Sequence, residues 1–422
     1  MAITIDSQPA ASDLKSPYRP LEVTVTSDNT SSDVTPTVYT SKMKCFIYLD
    51  GSGTADNANN PIILDPDFGT SYTFTFDISG YLAGLDTLTH TIQTKGAAIS
   101  AIDTTTNSSK SVYLKFTEVL YDTSTQTLSD GATSSASNTF YIINGVWPHD
   151  EVANEFTDFR LERPGGQYFL TNNRSTRDIG VNESYYLSFW RIDTNTRYFR
   201  VRTWTGANAT GSSNNYYRSI ALARKTYDIP CGPANINATT GSWYSDLGVT
   251  PTSDPTIDGT IGSYQVTWLD GGSSLISETV TFNLDHNPCT NEWTRIKFLN
   301  RLGAFEYFTF KGYRNKSINI RKNYYQRPLA ASYTVDQGGD RTMYTDSRTQ
   351  FVVYSQQLKQ ADREWLIEML EGNECFVEEG SNYIPIKVRA GGTQLINEGD
   401  GLMTIKMTYE YANPNRRQHG GY

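Results

Sequence analysis

At 422 residues and a formal net charge of −9, the chain has room for roughly two to four domains, and no apolar run reaches the ~20 residues of a membrane span. Its 28 Tyr, 18 Phe and 7 Trp can fill several thin cores, while strong helix formers run together only near residue 365. These proportions favour an all-β chain over an α/β one. Met1 to Pro20 has neither a positive start nor an apolar stretch, so no secretory signal is expected there.

Residues 1–15 are polar and read as a flexible N-terminal arm that orders only against a neighbour. Strands are expected at 21–25, at 44–49 and at 71–76, where Tyr72, Phe74 and Phe76 share a face. Residues 80–85 read as one short helical turn and 111–120 as a long alternating strand, which together predict a first β-sandwich over 16–138. Its last part, 122–138, is almost pure Ser, Thr, Asp and Gly and reads equally as a hairpin tip or a flexible linker.

A second β-rich unit with a connector is expected over 139–262. Residues 183–190 and 196–204 read as a hairpin turning at 193–195, with Tyr198, Arg200, Arg202 and Trp204 on one face and Phe199, Val201 and Thr203 on the other. Residues 219–224 add a strand, and 232–262 read as a loop or connector. No period of 20–50 residues repeats, which argues against propellers and solenoids.

The third unit, 263–413, opens with a hairpin at 263–269 and 278–284 and closes before a short tail at 414–422. Residues 293–301 and 304–310 pair across Leu302-Gly303, and 317–321 and 349–354 alternate like half-buried strands. Between 360 and 371, Ala361, Trp365, Leu366, Met369 and Leu370 recur at helical spacing after Leu358, with Gly372 as the stop. Residues 375–379 and 383–389 flank a turn at Gly380, and 402–411 form the last strand.

Several strings in this last third are informative beyond their periodicity: Arg301-Leu-Gly-Ala-Phe-Glu-Tyr-Phe-Thr-Phe310, Glu364-Trp365-Leu366, Tyr383-Ile-Pro-Ile-Lys387, and Thr408-Tyr-Glu-Tyr-Ala-Asn413 with Arg416-Arg417-Gln418. They resemble tail-associated structural proteins of phages and prophages of Bacteroidota, components of the tail tip, baseplate or hub. The resemblance extends weakly to Ser16-Pro17-Tyr18-Arg19-Pro20. It implies a mainly β, multi-domain protein of antiparallel β-sandwiches whose C-terminal sandwich is flanked by one α-helix, as in a tail tube. It also implies a virion component assembled in the host cytoplasm, whose partners are further copies of itself in a ring and other tail proteins.

No catalytic constellation competes with this reading, so no enzyme activity, cofactor or metal is expected. The four histidines, His90, His149, His286 and His419, accompany no Gly-x-Ser-x-Gly elbow and no His-x-x-x-His pair. Asp285-His286 before Pro288-Cys289 reads as a polar turn leaving a strand. Cys45, Cys231, Cys289 and Cys375 lack metal spacing and read as buried free thiols. The acidic pairs a glycosidase would require are Asp65 with Asp67, Asp254 with Asp258, and Glu378 with Glu379. All read as solvated acids at turns and strand ends. The sequons at Asn107, Asn182, Asn208 and Asn237 read as loop composition.

Charge is unevenly spread. Residues 1–160 hold 19 acidic and 8 basic side chains, a balance of −11, whereas 293–327 hold nine basic side chains against Glu306, a balance of +8. Nucleic acid is disfavoured as the partner of that strip by the acidity of the whole. A solvated strand face, or a face that meets an acidic surface on a second copy, suits it better. The rival reading is a glycan- or receptor-binding tail protein, in which Trp190, Trp204 or Tyr198 would stack on sugar rings of the host surface.

Overall fold

The computed structural model describes residues 3–29, 38–66, 72–86, 88–90, 92–99, 103–104, 108–146, 156, 159, 168–173, 176–191, 195–220, 225–241, 243–244, 254–271, 274–286, 293–329, 331–336, 339–389 and 403–413. Strands hold 54% of the described residues and helices 7%, so the chain is mainly β, as its composition predicts. Among the described residues five sheets carry the fold, nearly all of their pairing antiparallel.

The first two sheets face each other around one core. Ile3–Ser7, Glu22–Ser27 and Tyr72–Asp77 form a three-stranded sheet, and Val38–Leu49 with Ser109–Asp122 is the centre of a six-stranded one. Val23, Val25, Phe74 and Phe76 from one meet Met43, Cys45, Ile47, Leu114 and Phe116 from the other. The alternation that predicts these strands is the alternation that buries them. Ser79–Ala83 is the short helical turn expected near 80–85.

One expectation fails here, and one open alternative is decided. The N-terminal segment is not a free arm: Ile3–Ser7 pairs with Glu22–Ser27, and Leu14–Lys15 pairs with Phe140–Ile143. Its alternating Ile3 and Ile5 cover the edge of the core, an intramolecular use of a short apolar pattern. The Ser/Thr-rich stretch is an ordered hairpin rather than a linker, because Thr127–Thr133 returns along Ser109–Asp122. Polar groups hold it: Asp122 accepts from the Ser124 amide (2.8 Å), Lys44 meets Asp130 (2.5 Å), and Thr117 and Thr133 hydroxyls lie 3.0 Å apart. Phe140–Ile143 then joins the same sheet, so this unit runs past residue 139.

A second pair of sheets follows. Arg177–Gly180, Val280–Asp285, Ser263–Leu269, Arg197–Gly206 and Thr210–Ile220 stand in that order in one, and Tyr186–Trp190 and Thr226–Pro230 lie in the other beside Asp103–Thr104. The face assignment for 198–204 holds, with Phe199, Val201 and Thr203 buried. The expected hairpin does not: Tyr186–Trp190 pairs with Thr226–Pro230, while Arg197–Gly206 pairs with Thr210–Ile220 and Ser263–Leu269. All five residues of Tyr186–Trp190 are buried, so that strand needs cover on both faces, which a simple hairpin cannot supply. The pairing of Ser263–Leu269 with Arg197–Gly206 and Val280–Asp285 also places Ser263–Leu269 and Val280–Asp285 in this sheet and not in the C-terminal one. Pro233–Asn237 is a further helical turn inside the stretch expected to be a connector.

The C-terminal sheet has seven strands, in the order Phe305–Phe310, Thr294–Leu299, Cys375–Glu379, Asn382–Arg389, Met403–Tyr411, Asp340–Leu358, Arg314–Gln326. Its ends curl towards each other, since three residues link Phe310 to Arg314 and the Gly312 amide donates to the Tyr354 carbonyl (2.9 Å). The helix Gln360–Glu371 covers the resulting concavity, where Trp365, Leu366 and Met369 pack with Ile296, Phe298, Phe351, Val353, Ile405 and Met407. Gly372 ends the helix through close approach: a side chain there would stand 2.9 Å from the Glu368 and Leu299 carbonyls.

Candidate assembly interface: a projecting hairpin

Arg314–Gln326 and Asp340–Leu358 pair from Arg314 with Val353 out to Gln326 with Asp340. The neighbouring strand Met403–Tyr411 supports this hairpin only as far as Gln350. Beyond that point about nine residue pairs run on alone, roughly 30 Å at ~3.3 Å per residue. From Lys316 onward every residue of Arg314–Gln326 is exposed. A two-stranded ribbon on its own is marginal in water, so an arm of this length calls for a surface to lie against.

Its two faces differ. Pairing puts Ile318, Ile320, Lys322 and Tyr324 on one face with Thr349, Ser347, Thr345 and Thr342. Asn319, Arg321, Asn323 and Tyr325 share the other with Arg348, Asp346, Tyr344 and Arg341. The first face is the outward continuation of the one that carries Phe351 and Val353 in the body of the sheet. In the body those two are 2% and 0% exposed, but on the arm Ile318 and Ile320 are 53% and 56% exposed. One apolar stripe therefore begins in the core and ends in solvent. Further out, Leu329, Tyr333 and Val335 at the tip are exposed as well.

The base of the arm is braced by charge and rings. The Arg314 guanidinium lies 4.0 Å from the Phe351 ring centre and 2.8 Å from Glu379, and Phe351 stacks on Tyr409 at 5.0 Å. A one-residue register shift at Asn323–Tyr324, opposite Met343, bends the ribbon. Arg314–Gln326 is also the end strand of its sheet, so its outer edge has no strand partner among the described residues.

The basic strip at 293–327 is not a single surface. Arg295 and Lys297 are buried, Arg301 meets Glu368 (3.5 Å), Lys311 meets Asp285 (2.9 Å) and Arg314 meets Glu379. Arg301 stands exposed beside Glu368, and Lys316, Arg321, Lys322 and Arg327 stand exposed on the arm. Over 314–349 seven basic side chains face three acidic ones, so the arm is positive as well as apolar.

The residues weighed for chemistry are dispersed. His90 lies against the Phe305 ring and the Asn144 carbonyl, and burial lowers its pKa to about 4, so it is neutral at pH 7. His286 is exposed, with Asp285 turned to Lys311. Asp254 and Asp258 cap turns, accepting from the Gly241 and Thr260 amides, and Asp65 meets Lys42 at 3.2 Å. Glu378 and Glu379 depart from the solvated-acid reading, because each is drawn into a different ion pair, with Arg295 and with Arg314. Cys45, Cys231 and Cys375 are free, buried thiols whose pKa burial raises, that of Cys375 to about 12. Trp190 and Trp204 are core residues, which removes them as sugar platforms. His149, His419, Asp67, Cys289 and Arg416-Arg417-Gln418 lie outside the described residues. No group of His, Cys, Asp and Glu suited to a metal occurs among the described residues, and no helix there is long and apolar enough to cross a membrane.

No protein-family model matches the chain, and no curated protein is significantly similar to it.

The arm was only partly legible in the sequence. Residues 317–321 and 349–354 alternate visibly, but alternation reports a face and not whether anything covers it. The missed signal is that the same period continues outward from both segments with Thr, Asn, Lys and Tyr in place of larger aliphatics.

Proposed function

We propose that this chain is a structural subunit of a bacteriophage tail, at the tip, baseplate, hub or an adjacent ring, and that it works through interfaces with copies of itself and other tail proteins. The observation that carries this reading is the arm: a ribbon of roughly 30 Å, one face of which continues the core face of its own sheet and leaves Ile318, Ile320 and Tyr324 in solvent. A neighbouring copy that lies on the stripe buries Ile318, Ile320 and Tyr324 and gives the ribbon the cover it lacks. Because the arm and the surface it meets are different parts of the chain, the contact is heterologous, and such contacts close into rings when the rotation permits. The resemblance of the last third to tail proteins supplies the setting.

Electron microscopy of the purified protein, with mass spectrometry of virions, tests this reading. Closed rings in class averages and the chain among virion components are the expected results. A strict monomer at high concentration that is also absent from virions would overturn it.

A further inference from the structure

A second feature lies away from the arm, where the central sheets meet the C-terminal one. A cavity of about 290 Å3 opens there between the loop after Arg177–Gly180, the start of Thr294–Leu299 and the turn at Gly380. Its functional lining is Lys95, Asn182, Glu183, Trp293, Arg295 and Glu378. A smaller cavity of about 120 Å3 adjoins it and shares Glu183, Arg295 and Thr309, so the two form an elongated cleft.

The charges that line the larger cavity are paired with one another. Arg295 is buried, pairs with Glu183, approaches Glu378 at 3.4 Å and donates to the Ser184 carbonyl. Lys95 meets Glu378 at 2.5 Å and donates to the Gly380 carbonyl at 2.8 Å. Two cations therefore balance two carboxylates in the larger cavity, each locked to a partner of its own chain. An ionic ligand finds no free counter-charge there. What remains is a rigid array in which donors (Lys95, Arg295, Asn182) alternate with acceptors (Glu183, Glu378), the pattern that hydroxyl groups, each both donor and acceptor, can satisfy. Trp293 is the one aromatic residue lining the larger cavity. Lys311 sits 5.0 Å from its ring centre and is itself tied to Asp285, which fixes the indole at the cleft wall.

We propose that this cleft binds a neutral oligosaccharide, with a sugar ring against Trp293 and its hydroxyls shared among Asn182, Glu183, Arg295, Glu378 and Lys95. Pre-paired side chains keep the site ordered before the ligand arrives, which lowers the entropy lost on binding. The site is separate from the arm and does not depend on assembly.

The test is calorimetry with neutral oligosaccharides of glucose, galactose, mannose and N-acetylglucosamine, two to six units long, alongside sulfated and uronate-bearing counterparts. Binding of at least one neutral series is expected. Trp293→Ala should weaken it by ~10-fold or more, about one aromatic stack plus its hydrogen bonds. Should Trp293→Ala lower the melting temperature, Asn182→Trp replaces it as the variant, since Asn182 is exposed and a larger side chain there fills the cavity without uncovering the core. Ile320→Asp on the arm should leave the affinity unchanged, which separates this site from the assembly reading. No neutral binding, binding confined to the anionic series, or binding that survives a blocked cavity would overturn the proposal.

Discussion

The same face of the same two strands has opposite fates at its two ends. In the body of the C-terminal sheet, Phe351 and Val353 lie under the helix and belong to a core with Trp365 and Met407. Out on the arm, Ile318 and Ile320 continue that stripe and stand more than half exposed. The arm interleaves Ile318, Ile320 and Tyr324 with Thr, Ser and Lys, but large apolar side chains stand on this face in both regions, and they differ in their cover. What stabilises the fold is the helix over the inner end, and what drives association is the missing cover over the outer one.

The sharpest way to break this comparison is to remove the cover. Trp365 packs against Phe298 at 5.5 Å and Phe308 at 6.1 Å between ring centres, and its indole N–H donates to Glu306. Trp365→Ala should cost ~3–5 kcal/mol in a denaturant melt, a large part of a domain's stability. A melt unchanged by this substitution would mean that the helix faces a partner and not its own sheet.

Next comes the carboxyl beneath that indole. Burial raises the pKa of Glu306 from 4.5 to about 7, although Arg177 opposes the shift. Between those values the folded chain holds a proton that the unfolded chain has released. Stability therefore falls as pH rises from about 4.5 to 7, and is level above. The loss is about 3 kcal/mol at ~1.4 kcal/mol for each pKa unit. Glu306→Gln should remove this slope when denaturant melts at pH 5 and pH 8 are compared. Parallel slopes in the two proteins would contradict the buried, protonated carboxyl.

A smaller effect is expected from salt. The arm's seven basic side chains against three acidic ones suit the acidic first 160 residues of a neighbour. Raising salt from 0.1 to 1 M cuts the screening length from ~10 to ~3 Å. Association followed by light scattering should weaken by ~1 kcal/mol or less. Complete dissociation at 1 M would show that charge, and not the apolar stripe, holds the copies together.

Much of this architecture was legible in the residues, and the failures share one cause. Local pattern predicts the strands at 71–76, 111–120 and 304–310 and the helix over 360–371, because each buries the face its period declares. Partners distant in sequence decide the rest. Residues 183–190 look like half of a hairpin with 196–204, but Tyr186–Trp190 is buried throughout and needs Thr226–Pro230 beside it. The basic strip looks continuous, but Arg295 and Lys297 turn inward to Glu183 and Gln93. The cleft at Trp293 is likewise built by side chains from residue 95 to residue 380, a juxtaposition no linear spacing announces.

The central claim concerns the arm, and substituting its stripe tests it most directly. Ile318→Asp with Ile320→Asp should change the stability of the monomer by less than ~0.5 kcal/mol, as exposed positions do. Light scattering at matched concentration should find large assemblies in the unsubstituted protein and monomers in the variant. Melts taken below the assembly concentration should coincide. A variant that assembles as well as the parent, or that melts well below it as a monomer, would contradict the account.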